Sequence, residues 1–477
     1  MYKHPFVVLF LAACFCLLLL LPGSVQAAPG TWSAVASMNA VRENHTLTLL
    51  PDGRVLAVGG TDFFTTYNSA ELYNPVTNSW TATGSMNVAR QSPSATLLSD
   101  GRVLVAGGFD GASTLASAEI YDPSSGTWSN TGSMSVARQT QRAVRLLDGR
   151  VLVIGGTGSG GVLASAEIYD PTAGTWSSAN ALATVKGNFA VARLLDGRVL
   201  VAGGFAGGSE VKTYQIYTPA TNSWSAEANM NDLRNNPSAT LLSNGQVLLA
   251  GGENGFPSTN LKTELYDPGT NLWSYTTGNL AIVRNGHAAH LLPNGQVLIM
   301  GGSSVGGTNT AELYTPSTGL WSSTGSMVGN RTNNESVALA DGRILTSGGF
   351  SLSSFNTLST AEIYEPAQLN VRCGLGTGLQ TFHVEGQTVQ VNISTLGDID
   401  CVGVRQMEIT HPNATANMEV GRYWQIEAVN GGGGEASGYT LSLVLPNSFG
   451  TAVGVKACRY PGGLGGSGWD CTVAQSP

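Results

Sequence analysis

The chain has 477 residues, 23 Lys and Arg against 31 Asp and Glu, a formal net charge of −8 and only 11% charged residues; about a quarter is usual for a globular chain. That balance argues against a nucleic-acid partner, since a phosphate backbone is met by clustered Lys and Arg. The length exceeds one compact core, so two or more domains are expected.

The first element in chain order is a leader. Lys3 and His4 precede a wholly apolar run from Phe6 to Leu21, then Pro22, Gly23 and small residues at Val25 and Ala27. This reads as a secretory signal over residues 1–27, cleaved after Ala27 because the peptidase pocket admits small side chains. A retained anchor and a lipoprotein box at "LAAC" (11–14) are the alternatives, the second opposed by the apolar "FCLLLLL" that follows. No later segment reaches the roughly 18 apolar residues that span a bilayer. The expected location is secreted or cell-surface, with no membrane span once the leader is removed.

A repeat begins at residue 31. Gly-Gly pairs start at 59, 107, 155, 203, 251, 301 and 348, and tryptophans stand at 32, 80, 128, 176, 224, 273 and 321. Each unit reads as four short strands. In the third, "RAVRLL" (142–147) leads to Asp148-Gly149, a dipeptide that tolerates positive φ at both central positions of a hairpin. "RVLVIGG" (150–156) follows, its glycines leaving room for neighbouring backbone or a ring; then "AEIYDP" (166–171) and "TWSS" (175–178). The pattern G-x-G-x-x-G at 156–161 follows a strand and opens no helix, so it is not a phosphate loop.

This spacing of Gly-Gly, Tyr, Pro and Trp resembles the kelch repeat. The resemblance implies an all-β, seven-bladed kelch β-propeller over 28–367, radial repetition leaving few free sheet edges. "GTWSAV" (30–35) has the tail of a unit without its head, and "AEIYEP" (361–366) the head without its tail. The N-terminal strand is therefore expected to complete blade seven and close the ring. Strands alternate in direction, so uniform hairpins and short turns occupy one face. Links that differ from blade to blade, such as "TDFFTTYNS" (61–69) and "FSLSSFNTL" (350–358), occupy the other. Varied loops on a rigid frame are where recognition usually sits.

Candidate ligand-binding residues enter that face. Arg42, Arg90, Arg138, Lys186, Arg234, Arg284 and Arg331 recur before the innermost strands, at the expected channel mouth. In kelch domains that bind acidic peptides, some arginines at this position reach the ligand. The competing reading ties each cation to its own blade through the recurrent Glu71, Glu119, Glu167, Glu264, Glu312 and Glu362, with Gln215 in the blade of Lys186. His45 and His287 share a repeat position, with Asn334 in the blade between; with Glu335 or Glu43 they compose a possible metal set. Histidine hydrogen-bonded within its loop is the reading preferred here, so no cofactor is expected.

Galactose-oxidase-like enzymes also join a kelch propeller to a C-terminal β-domain. Their copper site resembles two histidines and two tyrosines, one cross-linked to a propeller cysteine, and this propeller contains no cysteine. Sialic-acid mutarotases are another exported kelch family, but no residue here stands out as theirs. After Pro366 the period ends. Strand-like runs at 387–394, 422–429, 439–446 and 454–460, with Cys373, Cys401, Cys458 and Cys471, suggest a β-sandwich over 368–477 with two disulfides. Local pairing, 373 with 401 and 458 with 471, is one of three connectivities. The combined expectation is an exported binding or adhesion module for a glycan or extracellular protein, with a carbohydrate-active enzyme, mutarotase-like or oxidase-like, as the alternative.

Overall fold

A computed structural model describes residues 30–366, except 256–259 and 304–307, together with the backbone of six strands between 370 and 444. The expected leader lies outside the described residues, which contain no helix.

Seven antiparallel sheets repeat one order. In the third, Arg142–Arg145 pairs with Val151–Ile154, that with Ala166–Asp170, and that with Thr175–Ala179. The second strand is buried along its whole length in every blade, hence its continuous "VLVI"-type composition, while the outer strand alternates or faces solvent. The first strands, Thr46–Leu49, Ser94–Leu97, Arg142–Arg145, Ala190–Arg193, Ser238–Leu241, Ala288–Leu291 and Glu335–Ala338, neighbour one another in turn, the last meeting the first. The result is a seven-bladed β-propeller around a central channel.

Blade seven is completed by the N-terminus. Thr31–Val35 pairs antiparallel with Ala361–Glu365, setting Trp32 opposite Tyr364, and the rings lie 5.2 Å apart. Six equivalent Tyr–Trp pairs occupy the other blades, from Tyr73–Trp80 to Tyr314–Trp321. Several indoles also tie one blade to the last: Trp80 donates to the Ala36 carbonyl and Trp128 to that of Gly84.

Packing lies between blades. One core joins Leu56, Val58 and Leu72 of blade one to Val103, Val105 and Tyr121 of blade two. Another joins Val55, Ala57 and Tyr73 to Leu345, Ala361 and Ile363 of blade seven. The Gly-Gly pairs make this approach possible. A Cβ on Gly107 would sit 2.5 Å from the Arg138 carbonyl oxygen of the next blade, and Gly108 donates its N–H to that oxygen at 2.8 Å.

Two details differ from the sequence reading. In the Asp-Gly hairpins only the glycine takes positive φ, +88° at Gly149. Asp148 stays out of that region, where its carboxylate accepts the Arg150 N–H at 3.1 Å and pairs with the guanidinium at 2.7 Å. The loop is therefore longer than two residues, with Leu146 N–H bonded to Arg150 O. Second, the outer strand of blade four is broken into Ser223–Trp224 and Ala228–Asn229, both paired to Thr213–Thr218.

Beyond the propeller, Asn370–Cys373, Cys401–Met407 and Tyr423–Val429 form one antiparallel sheet, and Gly378–Val384, Gln387–Thr395 and Thr440–Val444 another. The register sets Cys373 opposite Cys401. Cys458, Cys471 and the expected strand at 454–460 lie outside the described residues.

Candidate functional site

The recurrent cations are interior. Arg42, Arg90, Arg138, Lys186, Arg234, Arg284 and Arg331 are at most 1% exposed. Arg138 shows the pattern: its guanidinium donates to the Gly155 and Ser165 carbonyls at 2.8 and 2.9 Å, to Ser165 Oγ at 3.0 Å and to Glu167 at 3.0 Å. The glutamate in turn accepts backbone N–H groups of the entry loop, Ser135 at 2.7 Å and Val136 at 3.2 Å. Thus one arginine ties the ends of the second and third strands to the loop leading into the first. The same pairing joins Arg42 to Glu71, Arg90 to Glu119, Arg234 to Glu264, Arg284 to Glu312 and Arg331 to Glu362.

Blade four solves the same problem differently. Lys186 meets Glu227 at 3.3 Å and bonds Thr213, while Gln215 accepts the entry-loop N–H of Ala183 at 3.0 Å. Glu227 sits in the gap of the broken outer strand. The break is thus the geometric consequence of drawing a carboxylate from the fourth strand where the third offers an amide.

Two residues beyond each cation the chain enters the left-handed region: Asn44, Ser92, Thr140, Asn188, Asn236, Gly286 and Asn333, with φ between +50° and +59°. These positions link round the axis. Ser92 N–H donates to Asn44 O at 2.8 Å, Thr140 to Ser92 at 3.1 Å, Asn236 to Asn188 at 2.8 Å, and Asn44 to Asn333 at 3.2 Å, sealing the junction of blades one and seven. The channel mouth is therefore a ring of backbone and small polar side chains. Its sequence signal is Asn or Gly two places after the cation in five blades, the residue types that tolerate positive φ; Ser92 and Thr140 hold the same conformation without that preference.

Below the ring, the expected histidines diverge. His45 of blade one reaches Ser347 Oγ of blade seven at 3.3 Å, whereas His287 of blade six reaches Ser238 Oγ of blade five at 2.8 Å. Burial lowers both to about 3, helped by Arg42 and Arg284 respectively, so they are neutral. Asn334 donates to Thr346 Oγ1 at 2.7 Å, and Glu43 accepts from Asn333 at 3.0 Å. Glu335 opens the inner strand of blade seven. Burial raises its carboxyl to about 7 against the opposing pull of Arg142, which opens that of blade three. Among the described residues no three His, Cys, Asp or Glu side chains gather as metal ligands would.

The Kelch motif family model matches residues 48–87, 92–135, 140–182 and 188–231, which are four successive turns of the period, and the geometry continues it through blade seven. Blades one to four carry kelch motifs, within a seven-bladed propeller. A fungal alcohol oxidase of the AA5 family, solved in complex with copper, is 17% identical over 88% of this chain and 100% of its own, with a TM-score of 0.60. A structure of YjhT is 16% identical over 61% of this chain and 99% of its own, with a TM-score of 0.48. At these identities the first likeness shows the fold alone. No curated protein matches the sequence.

A galactose-oxidase-type copper centre does not fit this kelch propeller: residues 30–366 contain no cysteine for the tyrosine cross-link, and its two shared-position histidines point to different blades. What the sequence left unmarked is on the varied-loop face of the propeller, where Phe63, Phe64 and Phe355 stand 75%, 91% and 78% exposed.

Proposed function

We propose that this propeller is an exported, non-catalytic binding module that meets a glycan or an extracellular protein through its varied-loop face. The observation that carries the reading is the division of labour between repeat positions. The recurrent cations are spent within their own blades and the mouth ring within the backbone, so recognition falls to the side chains that differ between blades. Export rests on the leader at residues 1–27 and on cysteines confined, after the leader, to the region beyond residue 372. The register of Cys373 against Cys401 supports a bond between them in an oxidising compartment.

The test screens the immobilised full chain against soluble glycans and purified extracellular matrix proteins. Whatever binds is expected to lose at least tenfold in affinity on Ala112→Glu with Val328→Glu, both on the varied-loop face. Leu147→Glu, exposed on the hairpin face, is expected to change nothing. The opposite pattern, or no binding at all, removes the reading. A second reading, a carbohydrate-active enzyme working from the channel, draws on Glu335, whose carboxyl near 7 is in the range of a general acid or base. It requires turnover of a sugar that Glu335→Gln abolishes.

A further inference from the structure

Blades one and two build the same turn with different side chains. In both, an aspartate caps the tip: Asp62 accepts the N–H groups of Phe64 and Thr65 at 3.0 and 2.7 Å, and Asp110 those of Ala112 and Ser113, both at 2.8 Å. Blade two places Gly111 at the next position with φ +101°; blade one holds Phe63 there at φ +82°. A bulky residue in this region is strained, and such strain persists where function needs it. Nothing in the fold asks for the ring, which is 75% exposed and meets Phe64 edge-on at 5.6 Å. Blade seven repeats the device: Phe355, φ +52° and 78% exposed, tips the turn between Phe350–Ser351 and Asn356–Thr357.

The two turns are physically joined. Glu43, 6% exposed, exchanges both backbone hydrogen bonds with Thr61, which begins the Phe63 turn. Its carboxylate accepts from Thr357 in the Phe355 hairpin at 3.5 Å and from Asn333 of the mouth ring at 3.0 Å. Aromatic tips therefore stand on either side of a polar floor at the edge of the channel.

We infer that these tips form a binding site for an uncharged polysaccharide, with Phe63, Phe64 and Phe355 packing on the apolar faces of its sugar rings, and with Glu43 tying the two turns together beneath them. This rests on the varied-loop face being the binding face. The class follows from the charge of the surroundings. In residues 61–69 and 350–358 the one charged side chain is Asp62, and it is occupied by the turn and by Tyr67 OH at 2.7 Å. The nearby Arg42 and Arg331 are buried in ion pairs. An anionic ligand or a phosphate headgroup would find no cation on either of these turns. A protein hot spot is ringed by contacts that exclude water, whereas here the flanking Thr65, Thr66, Ser353, Ser354 and Asn356 offer hydroxyls and an amide, which suit the edges of sugar rings.

The test is affinity electrophoresis of the full chain in gels containing hydroxyethylcellulose, xylan or galactomannan, with heparin and pectate as charged controls and sedimentation with phosphatidylcholine vesicles. Retardation by at least one neutral polysaccharide is expected, weakened at least tenfold by Phe63→Ala with Phe64→Ala and by Phe355→Ala, and unchanged by Leu147→Ala. Phe63→Gly, which restores the residue of blade two, serves as the variant least able to disturb folding, and is expected to weaken retardation several-fold. Retardation by charged polymers alone, insensitivity to all aromatic variants, or vesicle binding that the aromatic variants abolish overturns the inference. A protein or charged glycan bound through this face without the aromatics would overturn it while leaving the proposed function standing. If none of these probes binds, the inference falls, and the proposed function falls with it only if the matrix proteins also go unbound.

Discussion

Arg90 has no measurable exposure and donates at 2.9 Å to the Gly107 and Ser117 carbonyls and to Ser117 Oγ, with Glu119 at 3.0 Å. Desolvating the pair is costly, and its geometry offsets that only while both partners remain. Arg90→Ala leaves Glu119 charged and enclosed, so a loss of about 3–5 kcal/mol is expected in urea unfolding. Glu119→Gln keeps one oxygen to accept an entry-loop N–H, as Gln215 does for Ala183 in blade four, and should cost less. The enclosed imidazoles set a different dependence. His45 and His287 are held near 3 and His290 near 4 by burial, so between these values and about 6.5 the unfolded chain binds protons that the folded one refuses. Glu335, raised to about 7, has the opposite sign: folded, it takes up its proton first as pH falls from about 7 to 4.5. Three imidazoles outweigh one carboxyl. Stability is expected to fall below pH 6.5, on the order of 1–3 kcal/mol per pH unit; urea midpoints at pH 7, 5.5 and 4.5 check the sign.

At the scale of elements, the repeat was legible because burial dictates composition. A strand enclosed on both faces must read Val-Leu-Val, and the Gly-Gly behind it must vanish for the next blade to approach. The broken outer strand around Glu227 was not legible, since it follows from a lysine's shorter reach to a partner elsewhere in sequence. The direction of the arginines was legible as one of two readings, because a third-strand glutamate recurs with each of them: the pairs form as that recurrence suggests, while the Gly and Ser or Thr carbonyls that complete each cage carry no side-chain signal. Small hairpins such as Thr157–Gly158 with Gly161–Val162 lack the β-branched signal of a strand and were hidden in a glycine pattern. The turn at Phe63 carries its own prediction. Phe63→Gly relieves positive-φ strain and loses no buried surface, so it should stabilise by up to about 1 kcal/mol after glycine's unfolded-state entropy is counted. Phe63→Ala keeps the strain and should leave the denaturant midpoint unchanged. Equal midpoints for the Gly and Ala variants would mean the turn is not strained.

At the scale of the molecule, the incomplete units at residues 30–35 and 361–366 foretold the closure, because a ring of repeats must hide two edges and one displaced strand hides both. Thr31–Val35 covers Ala361–Glu365, and Trp32 packs with Tyr364 in the core shared with Leu298, Met300 and Ile344. Gly325 N–H, in the link after blade six, bonds Gly30 O at 2.7 Å, so the strand touches both neighbours of the last junction. Deleting residues 30–36 exposes the Ala361–Glu365 edge and strips one wall from the two cores of blade seven, and free edges invite pairing between chains. The expected result is a lower thermal midpoint, a transition broadened as blades seven and one unravel first, and aggregation on heating. A chain carrying residues 30–36 after Pro366 on a short linker, in place of their natural position, supplies the same strand from the other side. If closure and not chain order is what the strand provides, that variant recovers the parent's midpoint and sharpness. A deletion that melts like the parent would mean the ring holds as an open arc, its six complete blade interfaces sufficing without the seventh.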